Sequence, residues 1–466
     1  MRIIGLDLAL TSAHRAVVME ASGKFVGRVR SLRTDPEQLG GLLSQARQGL
    51  AASEPLVVVM EPTGLAWLPV AVYLLLQQVQ VYLVNSRQVS DLRRYFRRHH
   101  KSDRIDARVL AQLYLLSQAK LHPLCLPPAA VYHLQRVCKL LAETVQQITR
   151  LQNKIQAVDR AAWLGGWEAE VFKAPFSPAA GWCREQLYNP YTVLHLGQAG
   201  IEKLWSRSEL ADAHGSPAWI PALLHLAHKV VAIYGPQPTY VDFEAFQQEM
   251  QYRQKWLRQF ESDRDELRRE VLLPLYHQLH PSGNLETLQG VGAESAAAFL
   301  SFIGQPQRFA SASQCRSWSG MIPRSDQSSD REAKGLHITQ AGPGLIKKYL
   351  YLDAEVARRY DPQLAKIYYD QMVHHGKHHS QAVCAVATHL LDRILVVLKA
   401  ERPYELRDVD GTPLDKAQAR QVVADRYTVP EAVRQRNRRQ KRRQQHDQQA
   451  ERKLKQRESS PDWVRG

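Results

Sequence analysis

The sequence is poor in cysteine, has no internal repeat and carries far less acid than base. Its five cysteines (Cys125, Cys138, Cys183, Cys315 and Cys384) are scattered over 466 residues. They form neither metal-ligand pairs nor a disulfide framework, which points to a reducing, cytoplasmic setting. No run of about 18 apolar residues occurs, which argues against a membrane-spanning helix. The opening MRIIGLDLAL is apolar but carries Asp7 and lacks a small-residue cleavage site, so a strand is expected there and not a signal peptide. The shortage of acid says most. Against 62 Lys and Arg stand 46 Asp and Glu, a formal charge of +16. Such an excess implies a polyanionic partner, either nucleic acid or an anionic membrane surface.

What is present is ordinary for a globular chain: 44% hydrophobic and 23% charged residues, in a length that suits two to four domains. RIIGLDL (2–8) reads as a buried strand, and AHRAVVMEA and KFVGRVRSL follow as two more around a turn at Ser22-Gly23. Asp35 and Pro36 open a helix expected to reach about Ala52. LVVVME (56–61) is a second apolar strand, followed by a helix through LPVAVYLLLQQ and a strand VQVYLVN. A three-stranded meander followed by alternating helix and strand is the element order of an RNase H-like mixed sheet.

Beyond the Pro-rich joint LHPLCLPP (121–128) the pattern turns helical. Leu134, Leu141, Ile148 and Ile155 recur every seven residues, as do Phe243, Met250, Leu257 and, after a gap, Val271. These are coiled-coil seams, expected as a helical hairpin or dimer arm. Residues 160–240 between them are rich in Trp and lack a clear period, which suits a small helical insertion. The division expected is an α/β catalytic domain (1–120), a helical arm (121–284), a mainly helical C-terminal domain (285–405) and a basic tail (406–466). The tail, with RQRNRRQKRRQQ at 434–445, has too little apolar content for a core and is expected to be disordered or conditionally helical.

Two carboxylates end apolar strands, Asp7 and Glu61, and two more stand three apart in DRID, Asp103 and Asp106. A charge at the end of a buried strand is costly unless something offsets it. Residues at i and i+3 share a helix face. If that helix lies over the strand ends, four carboxylates converge, and Mg²⁺ or Mn²⁺ is the kind of cation that holds them. A two-metal clamp suits phosphodiester chemistry. Taken alone, Asp103 and Asp106 read as acids capping a helix start, and it is their combination with Asp7 and Glu61 that makes them candidates for a site.

The combination of GLD near the start, MEPTG (60–64) and KSDRIDA (101–107) resembles the Asp-Glu-Asp-Asp transposases of the insertion-sequence "one-ten" family. The resemblance implies a RuvC-like N-terminal domain, guidance by a noncoding bridge RNA, and Asp7, Glu61, Asp103 and Asp106 as an acidic metal-binding tetrad. It extends to IPRSDQSSD and GLHITQAGPGLIKKYLY, where the family serine falls on Ser328. The glycine that follows it in the family is Ser329 here, which leaves Ser328 and Ser329 as alternatives. Gln340 stands where the family commonly has Lys.

A serine can attack a phosphodiester if nearby cations neutralise the phosphate and a base takes its proton. Arg324, Arg331, Lys334, Lys347 and Lys348 surround the serines, and Arg93, Arg94, Arg97, Arg98 and Lys101 precede the DRID pair. These basic residues, and those at 434–445, are expected to hold nucleic-acid phosphates. LQGVGAESAAAFLSFIG (288–304) could offer backbone N–H groups to a phosphate or serve tight helix packing. HHGKHH (374–379) pairs histidines at i,i+4 but shows no third metal ligand.

The expectation is therefore a homodimeric or tetrameric DNA transposase or recombinase. Its partners would be donor and target DNA and a guide RNA, with no membrane. The alternatives are a metal-only, junction-resolvase-like endonuclease and a non-catalytic nucleic-acid-binding scaffold.

Overall fold

A computed structural model describes residues 1–51, 53–96, 103–117, 121–214, 217–322, 327–328, 331–332, 338–339 and 341–442. The chain divides into two compact units, Met1–Leu126 and Pro127–Gly466.

The first unit is built on strands β1 (Arg2–Asp7), β2 (His14–Glu20), β3 (Phe25–Leu32), β4 (Leu56–Met60) and β5 (Gln80–Leu83). Their order is β3-β2-β1-β4-β5. The first three form the expected antiparallel meander, and β4 and β5 extend the sheet in parallel from β1. Helix α1 (Pro36–Arg47) begins where Asp35 accepts a hydrogen bond from the Gln38 N–H. It stops short of Ala52, and the chain turns through Gly49 at φ 71°. Helices α2 (Trp67–Leu76), α3 (Ser86–Phe96) and α4 (Asp103–Ser117) complete the unit.

Alternation along the strands assigns the two faces. Ile4, Leu6, Val58 and Met60 pack with α1 and α2, while Ile3, Val57 and Val59 pack with Ala107, Leu110 and Ala111 of α4. β1 and β4 are apolar at every buried position because both faces are covered.

The second unit is mainly helical: α5 (Ala129–Ala162), α6 (Pro178–Gln186), α7 (Pro190–Trp205), α8 (Ala211–His214), α9 (Ile220–Tyr234), α10 (Phe243–Glu266), α11 (Leu273–Leu279), α12 (Ala293–Ile303) and α13 (Ala312–Ser319). A two-residue ladder, β6 (Gln327–Ser328) and β7 (Arg331–Glu332), precedes α14 (Gly344–Ala357), α15 (Pro362–Tyr369), α16 (His379–Ala400) and α17 (Lys416–Arg426). The long α5 joins two cores. Its Leu134, Val137 and Leu141 pack with the C-terminal helices, while Ile148, Leu151 and Ile155 pack with Met250 and Leu257 of α10. The heptad phase then slips. A wider turn at Leu267–Leu272 advances the register, so Leu272 is buried where the seam pointed to Val271.

The Trp-rich stretch has its own core, with Trp163 and Trp167 edge to face at 5.2 Å. Arg184 is fully buried there, donating to Asp159 at 2.7 Å and lying 5.3 Å over the Trp167 ring, and Tyr188 donates to Asp159 at 2.9 Å. Removing one partner of such a pair strands a buried charge, at a cost of about 3–5 kcal/mol. α16 is long and apolar enough to cross a membrane by length and composition. Instead Val383, Val386, Leu390, Leu391 and Ile394 bury it within the C-terminal core.

Of the two expectations for the tail, disordered or conditionally helical, residues 406–442 do not follow the first: the chain there is folded, with helices at 416–426 and 431–442. α17 is capped by Asp415, which accepts from the Ala417 and Gln418 N–H groups, and residues 431–442 are helical. Val429 is buried, Val433 packs on the same core, and the buried Asn437 amide donates to the Met372 and Lys377 carbonyls. Composition hid this because two residues one turn apart, Val433 and the hydrogen-bonded Asn437, are enough to dock a helix whose other faces are basic.

Candidate active site

β1 and β4 run parallel with Leu6 opposite Met60. The next residues on each are Asp7 and Glu61, so two carboxylates stand side by side where the strands finish. Period-two alternation continues Ile3, Gly5 onto Asp7 and Val57, Val59 onto Glu61, which puts both on the face covered by α4. α4 lies directly on β1. A Cβ at Gly5 would sit 2.0 Å from the Ala107 carbonyl oxygen and 2.6 Å from the Ala111 nitrogen. The helix runs opposite to β1, because Leu115 near its end lies beside Gly23, in the turn after β2 and by the start of β1. Its first turn therefore comes to the end where Asp7 and Glu61 stand. Asp106, next to Ala107, is 8% exposed, and Asp103 is the first residue of the helix. Acids at a helix start are favoured by its positive pole, so the capping role and a role in a site are compatible.

An all-oxygen donor set of this kind fits a hard divalent cation. Among the described residues, however, no three His, Cys, Asp or Glu side chains are gathered closely enough to hold a metal ion. Asp7, Glu61 and Asp106 share one end of one face without forming a coordination group, and the Asp103 side chain lies outside the described part.

One cation at this end escaped the sequence reading. Arg15 stands across the ladder from Asp7, on the same face as Val17 and Met19, and among the described residues its buried Nε has no hydrogen-bond partner. A buried guanidinium N–H without an acceptor is costly, and an anion brought to this end would satisfy it.

The second candidate region is the serine segment. Ser328 lies in β6, opposite Arg331 of β7. The segment leaves the end of α13 at Gly320 and returns at Gly342, and its two ends are clasped. The Thr339 N–H donates to the Ile322 carbonyl at 2.9 Å and its hydroxyl to the Gly320 carbonyl at 3.3 Å. Gly320 and Gly342 both have positive φ, 73° and 71°. A Cβ on Gly320 would lie 2.1 Å from the Ala341 carbonyl oxygen, and one on Gly342 would lie 2.2 Å from that of Trp318. Only glycine permits so close an approach. Lys347 donates its ammonium to the Ala341 and Gly342 carbonyls, so it locks the clasp. Arg316 at the end of α13 is likewise committed, donating to Asp392 of α16 at 2.7 Å.

Of the other basic residues named above, Arg94 is exposed on α3 and Lys348 is exposed on α14. Arg93 and Arg331 are placed by backbone alone, on α3 and β7. Arg97, Arg98, Lys101, Arg324, Lys334, Ser329 and Gln340 lie outside the described residues. Of the two readings of the Gly turn at 290–292, packing accounts for Gly290, since a Cβ there would meet the Asp353 carbonyl oxygen at 2.4 Å. The Gly292 N–H is taken by Ser295 Oγ at 3.1 Å. In the histidine cluster, Gly376 breaks the helix at φ 62°. His379 instead hydrogen-bonds Tyr368 at 2.9 Å and stands 3.3 Å from Glu355.

Residues 4–159 match the Asp-Glu-Asp-Asp transposase family of IS110 elements, described as a transposase, and residues 282–369 match the transposase IS116/IS110/IS902 family. The insertion element IS110 uncharacterized 43.6 kDa protein of Streptomyces coelicolor is 30% identical over 138 residues, 29% of this chain and 34% of that protein. The pilin gene-inverting protein of Moraxella bovis is 28% identical over 130 residues, 28% of this chain and 40% of that protein. The matched stretches thus span about a third of the first relative and two fifths of the second.

Proposed function

The chain belongs to the IS110 family of transposases, and on that premise we propose that it breaks and rejoins DNA strands as an insertion-sequence transposase, guided by a noncoding bridge RNA. The observation that carries this is the pairing of Asp7 with Glu61 on adjacent strand ends, under the first turn of the helix that bears Asp103 and Asp106. We read the first unit as RNase H-like, of the RuvC type, because the antiparallel meander feeds a parallel extension with β1 at its centre.

In this reading Asp7, Glu61, Asp103 and Asp106 hold Mg²⁺ or Mn²⁺. The ion, when bound, supplies positive charge beside the scissile phosphate. Arg15 donates its unpartnered N–H to a phosphate oxygen. Arg93, Arg94, Arg97, Arg98 and Lys101 hold the neighbouring backbone, an attraction that weakens steeply with salt.

Ser328 is the nucleophile. Its Oγ bonds to phosphorus as the phosphorus–oxygen bond to the adjoining deoxyribose breaks, and its proton passes through a carboxylate to the departing strand oxygen. Attack by another strand hydroxyl reverses the step and rejoins the DNA. The names of the two relatives, an insertion-element protein and a gene-inverting protein, agree with strand exchange between two DNA sites. Exchange of that kind is natural for a homodimer or tetramer.

The test is recombination of element DNA with its flanking noncoding RNA and Mg²⁺, read as joined product and as a denaturation-resistant protein–DNA adduct. Asp7→Asn, Glu61→Gln and Asp106→Asn should abolish product, and Ser328→Ala should abolish the adduct. An adduct that survives Ser328→Ala but not Ser329→Ala moves the nucleophile one residue. Cleavage with no adduct in any variant replaces the serine mechanism with a metal-only nuclease. Wild-type recombination by Asp7→Asn and Glu61→Gln overturns the carboxylate site altogether.

A further inference from the structure

A groove of about 510 Å³ lies in the second unit, lined by Gln135 and Lys139 of α5, Phe302 of α12, Arg308, Trp318 of α13 and the first residues of α14. No carboxylate lines it. Lys139 is half-buried, with its ammonium 5.5 Å over the Phe302 ring. Burial and the neighbouring Arg136 charge push its pKa down, against the opposing pull of Glu143 on the same helix. Arg308 lies 4.9 Å over the Trp318 ring, and its Nη2 donates to the Phe302 carbonyl at 3.3 Å. α14 opens onto the groove at Pro343 and Gly344 with no side-chain cap and no acid in its first turn. Two cations and the positive pole of a 14-residue helix thus converge beside aromatic and guanidinium planes.

That combination has a specific chemistry. Aromatic faces and Arg planes stack nucleobases, while Lys, Arg and free helix amides hold phosphate. The volume falls in the range of roughly 300–1,000 Å³ that takes a small ligand, which suits one unstacked nucleotide and not a duplex. Position agrees with this. Trp318 and Pro343 adjoin Gly320 and Gly342, the clasp from which the serine segment springs.

We propose that the groove binds one unstacked nucleotide of a single strand, with its base against Trp318 and Phe302 and its phosphate held by Lys139, Arg308 and the first amides of α14. The proposal rests on the chain being a nucleic-acid enzyme but needs neither the carboxylates nor Ser328. It names a place for a displaced DNA base or for an RNA loop base.

Binding of the full chain is measured in EDTA by fluorescence anisotropy, with labelled single-stranded oligodeoxythymidine and oligouridine of about 12 residues and a duplex of equal length. Trp318→Leu should weaken single-strand binding about 5- to 150-fold, the range for loss of one stacked base. Lys139→Gln should lower the salt slope by about 0.7. A single abasic position in the oligonucleotide should reproduce the Trp318→Leu loss in the wild type and add nothing in the variant. Preference for one oligonucleotide identifies the source as DNA or RNA, and equal binding supports a site for either. Photo-crosslinking of 5-iodouracil oligonucleotides to the wild-type chain keeps the test decisive should a variant misfold: adducts on Phe302 or Trp318 support the groove. Adducts only elsewhere, or equal Trp318 dependence with duplex, overturn it. Because metal is absent throughout, failure here leaves the strand-exchange reading untouched, and failure of that reading leaves this one standing.

Discussion

The carboxylate end of the first unit and the base of the serine segment in the second both depend on backbone lying against backbone at a glycine. They are held in different ways. At Gly5 the contact is part of a regular helix-on-sheet packing, surrounded by Ile3, Val57, Val59, Leu110 and Ala111. At Gly320 and Gly342 the chain is irregular, and the contact is closed by two hydrogen bonds from Thr339 and the Lys347 ammonium. The first arrangement can be displaced only by lifting a helix off a sheet. The second is closed mainly by hydrogen bonds outside regular structure, with Met321 and Ile338 as its apolar anchors on the C-terminal core, so it can open over a shorter span.

The largest effect is expected at Gly5. Gly5→Val places two methyl groups where Ala107 and Ala111 already stand, with the Cβ itself 2.0 Å from a carbonyl oxygen. The helix must move, at a cost on the order of 3 kcal/mol or more, and it carries Asp103 and Asp106 away from Asp7 and Glu61. Urea denaturation followed by hydrogen exchange of β1 and α4 peptides checks this. Gly41→Ala in α1, where a Cβ meets nothing within 4 Å, is the control and should stabilise slightly. Equal behaviour of the two variants would remove the case for a packed helix holding the carboxylates.

Gly320→Ala should act more weakly and over a shorter span. The residue must leave φ 73° or push the Ala341 carbonyl aside, costing about 1–3 kcal/mol. Residues 320–342 should then exchange and be cleaved by protease faster, while α4 and α5 keep wild-type protection. Loss of protection spreading through α16 would mean that the clasp belongs to the core and that the contrast between the two regions is wrong.

How much of this could be read from residues alone differs in the same way. The carboxylate end was legible because β1 and β4 are apolar runs that each finish on an acid, and period two then fixes the face. Arg15 was not, because the loop between β1 and β2 leaves their register open until the fold sets it. The glycine clasp left no pattern either, since the need for glycine at 320 and 342 comes from backbone far along the chain. The docked helix at 431–442 was legible in principle. Val433 and Asn437 share one face of it and Val429 stands just before it, but the weight of arginine around them dominated the composition.

The smallest expected effect sharpens the contrast through pH. Asp353 sits mid-way along α14, the helix whose Lys347 closes the clasp. It is 7% exposed, among the described residues its Oδ2 has no hydrogen-bond partner, and burial pushes its pKa up to about 7 against a hydrogen bond with Ser295 that pulls the other way. The folded state therefore keeps this proton up to about pH 7, while the unfolded chain releases it near the ordinary value of about 4. Its contribution is fully present below pH 4, falls as pH rises through the window from about 4 to 7, and is gone above it. Asp353→Asn should flatten that slope. At pH 8 it should raise the protection of residues 344–357 while leaving the first unit's strands unchanged. If the wild-type chain shows the same protection of α14 at pH 5 and pH 8, Asp353 is not the group that couples the serine segment's anchor to pH, and the clasp stands on its glycines and Lys347 alone.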